Sequence, residues 1–149
     1  SRGLGDVYKR QEERANTITK GIAINDDILL AHNATVGPVC ILKTGLERII
    51  LSTSLTYYRV DPLKINPLFL YYYMKSRLFQ SQIERVMGQS TRNQVPITTQ
   101  RELYFIIPPI EIQNELIGKL VSISDTGKKV DCKISSSNAL QKSLINQVF

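Results

Sequence analysis

The sequence predicts an α+β (mixed α/β) fold: a twisted β-sheet with one central helix, followed by a long helix of the coiled-coil-forming kind. Three observations carry that expectation. Residues 25–43 hold two short apolar runs joined by a polar turn, and residues 48–61 are rich in β-branched and aromatic side chains, as half-buried strands are. One amphipathic pattern opens behind Asn66 and Pro67 and runs to Gly88. The last third repeats its seam positions at alternating spacings of four and three, the heptad period of a helix that packs on another helix.

The opening SRGLGDVYKRQ, Ser1 to Gln11, reads back through the genetic code as one open frame of a transposase-type sequencing adapter. We set it aside as a translated library scar, which places the natural start near Glu12, inside a domain of a larger reading frame. It carries three basic residues and one acid, so the formal charge of +6 falls to +4 without it. The remaining 138 of 149 residues suffice for one modest domain and an appendage. A positive excess of this size permits a polyanionic partner without demanding one. Cys40 and Cys132 are far apart and unclustered, which suits a reducing compartment and offers no disulfide framework. No apolar run reaches the roughly 18–20 residues of a membrane span, and a cytoplasmic protein without membrane contact is expected.

NDDILLAHNATVGPVCILK reads as two strands joined by a turn: Ile28–Leu30 lead into the polar HNAT, and VCIL follows Gly37 and Pro38. Gly37 can supply a positive φ, and Pro38 marks the start of the second strand. RIILSTSLTYYRVD, Arg48 to Asp61, is a third β-rich run. Asn66 then caps a helix whose first position Pro67 takes. LFLYYYMKSRLFQSQIERVM continues as one helix with Leu68, Tyr71, Met74, Leu78, Ile83 and Val86 near one face, stopped by Gly88. The Tyr71–Tyr73 cluster reads as core rather than as a platform for bases. In RELYFIIPP, Leu103, Phe105 and Ile107 alternate as in a strand that Pro108 and Pro109 end.

Residues 12–107 are thus read as the mixed domain and 108–149 as the long helix. Its seam runs through Leu116, Leu120, Ile123, Gly127, Val130, Ile134, Ser137, Gln141, Leu144 and Val148, seven of ten positions being apolar. At about 1.5 Å per residue such a helix is about 60 Å long. It is too long to pack wholly on so small a domain, so a partner helix is expected on Leu116, Leu120, Ile123, Val130, Ile134, Leu144 and Val148. SDTGKK is a place for a kink or break.

The chain offers no paired carboxylates, no metal-ligand spacing and no nucleophile beside a base, so no catalytic residue and no metal site are expected. His32 is the only histidine, and Asp26 and Asp27 have no ligand spacing. NPLF, Asn66–Phe69, lacks the second proline of the Asn/Asp-Pro-Pro-aromatic motif by which adenine methyltransferases resemble one another. No glycine-rich loop follows a strand to hold a cofactor. What stands out instead is QSTRNQVPITTQ. Arginine can hold guanine with two hydrogen bonds, and asparagine or glutamine can hold adenine with two. Gln89, Arg92, Asn93 and Gln94 supply those groups, while Ser90 and Thr91 could bond phosphates. By residue type alone the segment is equally a solvated loop. A second polar cluster comprises His32, Asn33 and Thr35, with Lys43 and Arg48 after it. A third comprises Thr53, Ser54, Tyr57 and Arg59, of which Tyr57 and Arg59 share one strand face.

The order of pieces is more specific than any one of them. DILLAHNATVGPVCIL, ILSTSLTYYRV, the NPLFLYYYMKSRLFQ helix, STRNQVPITTQREL, IIPPIEIQ and a long helix ending in LQKSLINQVF follow one another. This order resembles a target recognition domain and its following conserved helix, from the DNA specificity subunit of type I restriction–modification systems. The likeness covers essentially all of Glu12 to Phe149. It implies a non-catalytic subunit in which two recognition domains each read half of a split double-stranded DNA sequence. Two long helices would form an antiparallel spacer and dock methyltransferase subunits, with the restriction subunit engaged indirectly. The chain itself would need no cofactor; S-adenosylmethionine would sit on the methyltransferase partner. The resemblance also weighs the Gln89–Gln94 segment toward DNA contact.

Two departures stand out. Ile112 precedes Gln113 where the family favours an acid, which puts a helix-start capping contact in doubt. Ala34 occupies a turn position where small residues, often glycine, are common. Two other readings stand beside the leading one: the recognition domain of a fused restriction–methylation enzyme, and a coiled-coil assembly module whose mixed domain is a spacer. Self-pairing through the helix, giving a homodimer in place of a second recognition domain, fits either view.

Overall fold

The computed structural model describes Thr17, residues 19–88 and residues 93–148. Strands β1 (Ile22–Ala23) and β4 (Ile49–Ile50) pair as a small antiparallel ribbon. Strands β2 (Ile28–Asn33), β3 (Thr35–Ile41) and β5 (Leu55–Tyr58) form a second antiparallel sheet with β2 in the middle. Helices α1 (Pro67–Lys75) and α2 (Arg77–Gly88) follow, then a single turn α3 (Ile97–Gln100) and the long α4 (Ile110–Val148). This is the mixed architecture with a long C-terminal helix that the sequence predicts.

Alternation puts Ile28, Leu30 and His32 on one face of β2, and all three are buried. Leu70 and Met74 of α1, Phe79 and Ile83 of α2, and Val95 close the core over Ile28 and Leu30. Phe105 joins the aromatic part of it, with ring centroids 5.3 Å from Phe79, 5.8 Å from Tyr73 and 6.0 Å from Tyr58. Offset and tilted pairs at such separations add to plain burial. Tyr73 thus packs on the core, in line with the reading of the Tyr71–Tyr73 cluster as core.

Where β2 turns into β3, Ala34 takes φ 63° and lets the hairpin reverse over one residue. Leu30 pairs with Val39 but His32 with Val36, so β3 bulges at Gly37 and Pro38. Gly37 does adopt a positive φ, 107°. A Cβ there would stand 2.9 Å from Gln80 Oε1. The Gln80 amide donates to the Gly37 and Met74 carbonyls at 3.0 and 2.7 Å, which ties the bulge to the helices. Pro38 lies inside β3 rather than at its start. An edge strand at a bulge tolerates a residue that cannot donate.

Three expectations are corrected. The residue 48–61 run is two short strands in two sheets, split by a turn at Thr53–Ser54. The 67–88 helix is two helices, because Ser76 leaves helical geometry with ψ 155°. Its hydroxyl and its N–H both donate to the Tyr73 carbonyl, at 2.6 and 3.0 Å. A serine that bonds the preceding turn in this way competes with the helix. The two halves therefore face differently: Phe69, Leu70 and Met74 are buried, then Phe79 and Ile83, whereas Leu68 and Leu78 are exposed. Finally, residues 103–109 form no strand. Leu103 and Phe105 do pack on the core, but Ile107 is exposed. Tyr104 finds its backbone partners in the Gln82 side chain, donating at 2.9 Å and accepting at 3.1 Å. One side-chain amide stands in for a neighbouring strand.

The long helix α4 runs unbroken through SDTGKK for 39 residues, or about 58 Å. Gln113 and Ile117 are its buried residues, and every residue from 118 to 148 is exposed. Ile112 is exposed and Glu111 supplies acid to the first turn. The helix start is secured by Gln113 itself, whose N–H donates to the Pro109 carbonyl at 3.1 Å and whose amide reaches back to the Pro108 carbonyl at 2.7 Å. No helix among the described residues is long and apolar enough to cross a membrane.

Candidate nucleic-acid interface

The far end of β2 gathers polar residues from three separate stretches of sequence. The His32 N–H donates to the Ser54 carbonyl at 3.0 Å, and its carbonyl accepts from Val95 N–H at 2.9 Å. The Ala34 N–H donates to the Asn93 carbonyl at 3.0 Å, and Asn33 and Gln94 form an antiparallel bridge. These backbone bonds extend the sheet at its tip. They bring Asn33 and Thr35, Thr53 and Ser54, and Asn93 and Gln94 into one neighbourhood. The cluster is built from backbone groups that need partners in any case, which leaves its amide and hydroxyl side chains for other use. Asn93 and Thr35 are exposed, and Asn33 and Gln94 are half-exposed.

Behind the tip sits Gln100, only 4% exposed. Its amide donates to the Val95 carbonyl at 2.9 Å, and its oxygen accepts the Tyr58 hydroxyl at 3.0 Å. Burial pushes the Tyr58 phenol up to about 12, so it remains a neutral donor at ordinary pH. The Asn93–Val95 segment is thereby pinned to the sheet from below. Gln100 was not among the residues singled out from sequence. A glutamine in a TTQ string carries no local mark of burial.

His32 lies under this tip rather than on it. At 4% exposure its side chain is shut away from solvent, and its Nδ1 has no hydrogen-bond partner among the described residues. Its contribution to the site is its backbone. Gln89, Ser90, Thr91 and Arg92, which precede Asn93 in the chain, lie outside the described residues.

Other candidates gather at the opposite end of β2, six residues or about 20 Å away. Arg59 is committed there: Nε and one terminal nitrogen donate to the two Asp27 oxygens at 2.9 and 2.7 Å. The same terminal nitrogen donates to the Ile22 carbonyl at 3.2 Å, and the guanidinium lies 5.0 Å from the Tyr57 ring centre. Asp27 is 2% exposed and also accepts the Ile24 N–H at 2.8 Å. The Arg59 guanidinium, bonded to that carboxylate, has its pKa raised further. Arg59 therefore clamps the β1–β4 ribbon onto the main sheet. Lys43 pairs with Asp26, and Arg48 leads into β4. The structure thus separates a neutral polar tip from an opposite end where Arg59 and Lys43 are paired with Asp27 and Asp26.

On α4 the expected seam is exposed along its whole length: Leu116 42%, Ile123 69% and Val148 73%, with Leu120, Val130, Ile134 and Leu144 between 40% and 53%. Among the described residues no group of three or more His, Cys, Asp or Glu could hold a metal ion.

A family model for the type I restriction modification DNA specificity domain matches residues 5–129. That span takes in the mixed domain and the first half of α4. No curated protein and no solved structure matches the chain significantly.

Proposed function

The chain belongs to the family of type I restriction modification DNA specificity domains, and from that premise we propose that it reads one half of a split DNA site through the β2–β3 tip. Domains of this family recognise DNA sequence. The observation that carries the finer reading is the convergence of Asn33, Thr35, Thr53, Ser54, Asn93 and Gln94 on one backbone-bonded edge. Amide side chains can pair with base edges, above all with adenine, while hydroxyls bond phosphates. Gln89, Ser90, Thr91 and Arg92 immediately precede Asn93 in the sequence, and Arg92 is the kind of cation that guanine readout uses. Lys43 and Arg48 contact flanking phosphates in this reading, whereas Arg59 is structural.

Catalysis belongs to partners. The exposed stripe of α4 takes a second long helix, from another recognition domain or from a second copy of the chain. The helix pair docks methyltransferase subunits that carry S-adenosylmethionine, and through them the restriction subunit. The length of the unpaired stripe supports this arrangement over a domain that acts alone.

The test is selection of binding sites from random duplexes at several salt concentrations. A short enriched motif, erased by Gln94→Ala or Arg92→Ala, is the expected result. A good two-bond base contact carries about 1–3 kcal/mol of discrimination. Salt-sensitive binding with no enriched motif would reduce the chain to phosphate contacts and defeat the reading.

A further inference from the structure

We infer that Gln113 is the positioning residue that fixes the direction in which α4 leaves the recognition domain. The inference rests on the reading of α4 as a spacer, since only then does its direction set where the tip lies relative to whatever the helix carries.

Gln113 is fully buried, one turn into a helix that is otherwise almost wholly exposed. Its Oε1 accepts the Asn66 N–H at 2.9 Å. Its Nε2 donates to the Lys64 carbonyl at 3.1 Å and to the Pro108 carbonyl at 2.7 Å. One amide thereby ties together the loop before α1, the proline segment before α4, and α4 itself. Asn66 is the N-cap of α1, its own side chain accepting the Leu68 N–H at 2.9 Å. The long helix is thus referenced directly to the frame of the core helices. Asn66 adds an exposed bond from its amide to Asn114 Oδ1 at 2.8 Å.

The other buried contact of α4 is Ile117. Apolar burial holds a helix against a surface but is not directional. Hydrogen bonds are directional, and three from one side chain fix both tilt and rotation. Beyond Ile117 the helix is a free lever of about 46 Å, so a swing of about 10° at its root moves its far end by about 8 Å. Rotation matters equally. At 3.6 residues per turn, Leu116 lies a quarter-turn or so from Ile117, so the joint also decides which way the apolar stripe faces. Glutamine suits the task because it donates and accepts at once. A carboxylate would set oxygen against two carbonyls.

Cys40 on β3 and Cys132 on α4 are the two cysteines of the chain, and both are exposed. They are a native pair of labelling sites, one in the domain and one on the lever. Single-molecule energy transfer between dyes on them reads the joint at dilutions where copies do not associate. The wild-type chain should give one narrow peak. Gln113→Ala and Gln113→Glu should lose it and give a broad distribution, while Asn114→Ala, which removes only the exposed bond, should retain it. Thermal melting of each variant monitors the domain. A narrow, unshifted peak in Gln113→Ala would overturn the inference. So would loss of domain folding in both Gln113 variants, since Gln113 would then be core rather than joint. Site selection is independent: if no motif is enriched yet the peak behaves as described, the DNA reading fails and the joint stands.

Discussion

Tyr58 donates its hydroxyl to Gln100 at 3.0 Å across the underside of the candidate tip. The bond links β5 to the single turn α3, and Gln100 passes the constraint on to the Val95 carbonyl. Removing the hydroxyl leaves a buried amide oxygen without its donor. Tyr58→Phe should therefore lower stability by about 1–2 kcal/mol, read as a shift in urea midpoint at unchanged slope. It should also weaken motif enrichment more than non-specific affinity, because Asn93 and Gln94 lose their backing. Equal loss at all sequences would detach this pair from recognition.

The same hydroxyl gives the fold a pH dependence. Burial pushes the Tyr58 phenol up to about 12, whereas an unfolded tyrosine ionises near about 10. Above about pH 10 the unfolded chain sheds the proton first, so the folded state loses relative stability. The contribution is complete below about pH 10 and disappears as the pH climbs to about 12. Tyr58→Phe lacks this group. The gap between wild-type and variant stability should shrink across that window, and a gap that stays constant would count against the burial.

Legibility from sequence followed the range of the interactions. The Asn66 cap and the Pro67 start were readable because cap chemistry acts over two or three residues. The positive φ of Gly37 was readable for the same reason. The break at Ser76 was not: residues 67–88 carry one amphipathic pattern, and the hydroxyl that bonds Tyr73 is locally indistinguishable from one that points to water. The alternation of Leu103 and Phe105 was a true sign of packing, but its backbone partner is Gln82 rather than a strand. In the site, residue types pointed to Asn33, Thr35, Asn93 and Gln94 separately. Their union depends on sheet register, as does the burial of His32. Gln100 and Gln113 owe their roles to carbonyls and amides brought in by folding, and a polar side chain alone does not announce that.

Ala34 holds a left-handed conformation, φ 63°, which costs a residue with a Cβ about 1–2 kcal/mol. Glycine avoids that cost but gives up about 0.5–1 kcal/mol of chain entropy. Ala34→Gly should stabilise the domain by up to about 1.5 kcal/mol, measured as a raised denaturation midpoint. A lowered midpoint would show that the turn relaxes elsewhere.

Arg59 and Gln94 should give opposite signatures. Arg59→Ala strands Asp27, a 2% exposed carboxylate left with the Ile24 N–H as its remaining donor among the described residues. Stranding a fully buried charge is severe, but the Arg59 side chain is 44% exposed and solvent screens part of the pair. A loss of roughly 1–3 kcal/mol is expected. The motif enriched by the molecules that remain folded should be unchanged, because the clamp lies at the end of β2 away from the tip. Gln94→Ala should do the reverse: its side chain is half-exposed and the backbone bonds of its neighbours Asn93 and Val95 stay intact, so stability should move by less than about 0.5 kcal/mol while the motif is erased. Denaturation and site selection on both variants decide the matter. A motif altered by Arg59→Ala at full stability would move base readout to the Arg59 end of β2, and the tip would become a structural corner.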